Sequence, residues 1–308
     1  MRSRSKRRYQ LKKRVRKGLK KELNDLVRGL CGGFLFGIPM LYTIEVWWIG
    51  SSVPPLRILA ILTVTMLSTY LLSSTAGFRK SQATTQREAF ADAVEAIALG
   101  LLCATVMLII LQQITPDTRF SEALGKIILE SVPFSIGVAL ANQFLQGSED
   151  SPEDNKSNNA SSKQLSKLEK LTSKTNLNET ISDIGATLLG SIIIAFSIAP
   201  TEEVTILVAA VKGPWLMLTV LISLVLSYCI VFQANFTRQA RRQKQQGLFQ
   251  DPISETIFAY LLSLVSAALM LSFFGKLDPT GPLDLAFRQI LILGLPAAIG
   301  GAAGRLTV

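Results

Sequence analysis

Residues 92–112, DAVEAIALGLLCATVMLIILQ, place two carboxylates in their first four positions and no charge after them. At 1.5 Å per residue this run reaches about 30 Å, the thickness of a bilayer's hydrocarbon core. It shows no apolar–polar alternation of a half-buried strand, so it reads as a membrane-spanning helix. Working outward, seven more such runs lie at 29–50, 56–78, 123–146, 181–200 with a continuation to 211, 213–234, 253–275 and 284–304. Pro296 and a Gly-rich end interrupt the last. Of the 308 residues 49% are hydrophobic and 18% charged, but the charges are segregated into the stretches between runs. The fold class expected is therefore all-α: a polytopic membrane protein with eight transmembrane helices.

Lysine and arginine set the orientation. With a cytoplasmic N-terminus, 26 of the 32 basic residues fall in inside segments; Arg57, Arg119, Lys126, Lys212, Lys276 and Arg288 fall outside. The positive-inside rule then puts both termini in the cytoplasm. The basic segment 1–28 is too long for the n-region of a cleavable signal and reads as part of a signal anchor. Its Leu11, Val15, Leu19, Leu23 and Val27 recur every fourth position, predicting an interfacial helix against anionic lipid headgroups rather than a nucleic-acid contact. Residues 147–178, rich in Ser, Asn and Lys, predict a flexible cytoplasmic linker near the middle of the chain.

Whole classes of chemistry are excluded. Without histidine there is no Ser-His-Asp triad and no His-ligated zinc. Cys31, Cys103 and Cys229 lie in separate apolar runs, which supports no disulfide framework or metal cluster. No phosphate-binding loop, dinucleotide fingerprint or metalloprotease motif occurs. Neither an enzyme nor a bound cofactor is expected.

The two halves match at near-constant offsets. Thr43 and Glu45-Val46 meet Thr201 and Glu203-Val204 at 158, as do Thr65 with Ser223 and Thr69-Tyr70 with Ser227-Tyr228. Gly33 and Gly37 meet Ser191 and Ala195 at the same offset. Glu95 meets Glu255 at 160, and Pro133 and Gly137 meet Pro296 and Gly300 at 163. Two tandem four-helix repeats, 29–146 and 179–308, follow as the expected organisation, with a path between them. The repeated small residues, Gly137/Ala141 and Gly300/Gly304 included, suit close helix packing in lipid.

Carboxylates inside spans are costly and mark candidate ion paths. Glu45 follows Pro39, and Glu202 and Glu203 follow Pro200, which should break the fifth span. Glu130 stands in one copy only, its counterpart being Leu293. Glu95 and Glu255, with Asp92 near the first, form a second matched pair at helix starts, where an acid also complements the helix dipole. Matched acids at both mouths predict a path for a small cation, with Glu45 and Glu203 central to it. Hydroxyls such as Thr69 and Ser227 are candidates along it, although they commonly bond their own helix carbonyls.

The basic leader, the stretch FRKSQATTQREAFADAVEAIALG (78–100) and the polar mid-chain segment together resemble an uncharacterised family of bacterial multi-pass membrane proteins. Arg87, Phe90, Asp92, Ala93-Val94 and Ala96-Ile97 are also similar to the F-S-D motif of a potassium-channel family. Ala91 stands for its Ser and Glu95 for its second Phe, and the run opens the third span rather than the first. The expected function is a cation transporter, with or without proton coupling; a cation channel and a membrane scaffold or sensor are the alternatives.

Overall fold

Helices form every regular element among the described residues of the computed structural model, which are 2–76, 86–141, 173–233, 252–278 and 280–306. In lipid a backbone must pair its polar groups internally, and a helix does so within one segment. In chain order the helices are α1 (Arg2–Leu41), α2 (Ile44–Ser52), α3 (Pro55–Ala76), α4 (Gln86–Ile110), α5 (Phe120–Leu140), α6 (Ser173–Ile198), α7 (Glu203–Ala210), α8 (Gly213–Tyr228), α9 (Pro252–Phe273) and α10 (Leu283–Leu306). A π-helical turn, Cys229–Gln233, prolongs α8. Among the described residues seven helices are long and apolar enough to cross a membrane, or eight spans if the bent pair α1–α2 counts as one.

The expected first span, 29–50, falls on that bent pair. The chain turns by 90° between Leu41 and Ile44. Pro39 deprives the last turn of α1 of a backbone donor, and Thr43 is extended (φ −135°, ψ 99°). The amide of Val46 then returns to the Thr43 carbonyl at 3.1 Å and starts α2 in a new direction. The expected break at Pro200 is present: α6 stops at Ile198, and the Thr201 hydroxyl donates to the Ile198 carbonyl at 2.6 Å. With nine and eight residues, α2 and α7 are too short to span.

Two further expectations meet the helices differently. The basic leader and the first apolar run form one 40-residue helix, with no interruption to separate an interfacial segment. The linker 147–178 lies outside the described residues except for its end, where α6 already begins at Ser173.

The chain divides into two compact units, α1–α5 and α6–α10. Within the first, α5 packs against each of α1, α2, α3 and α4. Within the second, α10 packs against α6, α7, α8 and α9. Glycines permit these contacts. A Cβ on Gly32 would lie 2.6 Å from the Gly137 carbonyl oxygen, and Gly137 faces the Gly32 carbonyl in return. In the second unit Gly190 and Gly300 face each other's carbonyls in the same reciprocal way. Helix ends correspond too. Gln112 after α4 and Gly275 after α9 both take positive φ, and the next amides, of Gln113 and Lys276, each reach a carbonyl five residues back at 2.8 Å.

Burial is inverted relative to a water-soluble bundle. On α9, Ile253, Ile257, Leu261, Val265, Leu269 and Phe273 form an exposed stripe at every fourth position. Thr256, Tyr260, Ser263 and Ser266 on the same helix are buried. An apolar stripe of that length is stable against acyl chains and prohibitive in water.

Candidate functional site

Glu130 sits midway along α5 and is 1% exposed. Its Oε1 has no hydrogen-bond partner. The side chain beside its carboxyl is the indole of Trp47 from α2, which is 3% exposed and whose Nε1 also lacks a partner. Backbone contact fixes α2 on α5: Gly125 faces the Gly50 carbonyl, and a Cβ on Gly50 would lie 2.9 Å from the Lys126 Cα. Lys126 stands one turn before Glu130, but its ammonium is committed elsewhere. It donates to Glu122 Oε1 at 2.6 Å and to the Gln113 carbonyl at 3.2 Å.

The remaining acids fall into distinct settings. Glu45 and Glu203 both open short helices, α2 and α7, yet Glu45 is exposed and Glu203 is 6% exposed. They belong to different units. Glu202 is exposed and pairs with Lys276 at 2.7 Å. At the far end of α7, Arg288 of α10 donates to the carbonyls of Val208 and Val211 at 2.9 and 2.8 Å, satisfying groups a helix end leaves open. Asp92 is buried and Glu95 half-buried in the first turns of α4. At the same end of the unit, Asp25 and Arg28 form a buried ion pair at 3.4 Å within α1.

Glu255 on α9 is ion-paired with Arg305 of α10, whose guanidinium is almost wholly buried and lies 5.8 Å from the Phe232 ring centroid. Next to it Ser227, Thr256, Ser263 and Arg305 border a cavity with room for about one water molecule. Ser227 Oγ reaches across to the Ala298 carbonyl at 3.4 Å. Thr69, the other hydroxyl named for a path, bonds within its own helix to the Thr65 carbonyl at 2.8 Å, as the offset-matched Thr65 and Ser223 do to Ile61 and Thr219 at 2.8 and 2.7 Å.

Among the described residues no three His, Cys, Asp or Glu side chains are grouped to hold a metal. The structure thus brings Trp47 to Glu130 and Arg305 to Glu255, neither of which the spacing of residues announces. Arg305 was visible only as a topology-setting charge in a Gly-rich run. Trp47 carried no signal, because its partner lies 83 positions on in another helix.

The chain belongs to the family described as "Putative integral membrane protein (DUF2391)", whose model matches residues 25–308. It is thus an integral membrane protein with several spans, of the multi-pass kind that the leader and the 78–100 stretch resemble. No curated protein and no solved structure matches it.

Proposed function

We propose that this membrane protein is a transporter that moves a cation, and that Glu130 is the carboxylate that binds it. The observation that carries this reading is the burial of Glu130 with an unpartnered oxygen, set against Leu293 at the matched position of the second unit. Leu293 is 0% exposed, so the same place in a similar helical hub is filled by a hydrocarbon side chain. An anionic carboxylate there costs several kcal/mol (about 3, by insertion scales) unless a cation offsets it. Packing alone therefore gives no reason for an acid, whereas intermittent cation binding does.

The matched offsets, the reciprocal glycine pairs and the positive-φ helix ends support a tandem duplication of α1–α5 as α6–α10, with Glu45 and Glu203 opening the equivalent short helices. The excess of basic residues in alternate loops supports cytoplasmic termini in a bacterial inner membrane, with the leader near anionic headgroups.

Purified protein in proteoliposomes tests the transport reading. Saturable cation flux that falls to the background of empty vesicles in Glu130→Gln supports it. Unitary currents in a planar bilayer would replace the carrier with a channel. No flux of any cation from the parent protein would leave the scaffold reading, which deletion of 149–176 tests through loss of a partner.

A further inference from the structure

We infer that the ion taken up by Glu130 is the proton, and that the Trp47 indole N–H is positioned to donate to the carboxylate the proton leaves behind. This rests on the reading of Glu130 as the cation site and names its cargo.

Coordination chemistry separates a proton from a metal here. A hard metal cation needs about six oxygen ligands, or waters carried with it. Glu130 offers one carboxylate, and the polar group set beside it is an N–H donor, whose positive end repels a metal cation. The same donor suits a carboxyl that alternates between two states. Protonated, Glu130 is neutral and compatible with its apolar surroundings; deprotonated, it is an anion that an indole N–H stabilises with a charge-assisted hydrogen bond. The step balances simply: the carboxyl O–H bond breaks, the proton passes to water, and the electron pair stays on the carboxylate. Neither Glu130 Oε1 nor Trp47 Nε1 is engaged by any other group, so both are available for this exchange.

Other titratable or charged groups on the surrounding helices do not compete. On α5 itself, Lys126 is held by Glu122 and by a carbonyl. Glu45 of α2 and Arg57 at the start of α3 are exposed. Cys31 of α1, Cys103 of α4 and Tyr42 after α1 are buried and are neither carboxylates nor ammonium groups. Asp25, Arg28, Asp92 and Glu95, with Tyr70 of α3, belong to the other end of the unit, where Leu26, Leu30 and Leu72 pack with Ala96 and Ala139. Ala139 is nine residues along α5 from Glu130, about 13 Å by helical rise.

Trp47 is its own reporter. In a Trp48→Phe/Trp215→Phe background Trp47 is the sole tryptophan of the chain's three. Its emission in proteoliposomes should show a one-site pH transition that is lost in Glu130→Gln and in Glu130→Leu, the second taking the residue the other unit already accommodates. Difference infrared spectra should lose a protonated-carboxyl band in the same variants, and Trp47→Phe should displace the pH at which that band titrates. A pH-independent emission, a transition that survives Glu130→Gln, or an equal emission change on adding sodium, potassium, magnesium or calcium at fixed pH would overturn the assignment. Because these readouts register binding without flux, the assignment and the transport reading fail independently.

Discussion

Ser191 of α6 and Ser263 of α9 share a hydrogen bond of 2.8 Å in the interior of the second unit. At the matched positions of the first unit, a Cβ on Gly33 of α1 would lie 3.8 Å from the Cys103 sulfur of α4. The same two register positions meet in both units, once through hydroxyls and once through a glycine against a thiol. Both meetings use small side chains, which in lipid set how closely helices approach.

The reciprocal glycine pair predicts a steep asymmetry between two glycines of the second unit. Gly300→Ala puts a methyl group against the Gly190 backbone, which cannot rotate away, and should cost about 1–3 kcal/mol. Gly185→Ala on α6 has nothing within 4 Å of the new Cβ and should be neutral or stabilising by up to about 1 kcal/mol. Thermal unfolding in detergent, followed by cysteine accessibility, compares the two.

Glu255 and Arg305 predict a non-additive cycle. Glu255→Gln takes a countercharge away from a buried guanidinium and should destabilise by about 3 kcal/mol, whereas Arg305→Met leaves a carboxylate that is partly exposed and should cost less. The double variant should cost less than the sum of the two, since the coupling between the charges is lost only once. Additive losses would mean that the two side chains do not act as a pair.

Asp278 predicts a local pH effect outside the spans. The Thr280 hydroxyl donates to its carboxylate at 2.7 Å and the Thr280 amide at 2.8 Å, holding the group below the usual carboxylate range. A depressed folded value means that the turn's stabilisation is present above the unfolded pKa and is lost as pH falls through the folded one. Thr280→Ala should move the Asp278 titration, read from its side-chain carbonyl resonance, upward toward the ordinary value.

Much of the fold was legible because the bilayer imposes length and charge rules on each span separately. The run 92–112 and its counterparts are helices, and Pro200 falls in the turn that ends α6. The break after Leu41 was not legible: Tyr42 and Thr43 are ordinary span residues, and Pro39 sits inside α1 rather than at its end. The site was less legible still. Glu130 stood out as a charge in a run, but its significance comes from Trp47, and that meeting is made by tertiary packing of α2 on α5. Glu45 and Glu203 show the converse, since equal positions under the offset gave unequal burial.

The most direct test of the central claim is a paired measurement on Glu130→Leu: cation flux in proteoliposomes, protons included, and thermal stability in the same preparation. If the acid is retained for binding at the expense of stability, flux is abolished while the unfolding temperature holds or rises, because a buried unpaired carboxyl has been replaced by the side chain found at position 293. A variant that unfolds at lower temperature yet transports at the parent rate would contradict the account, leaving Glu130 as part of the scaffold.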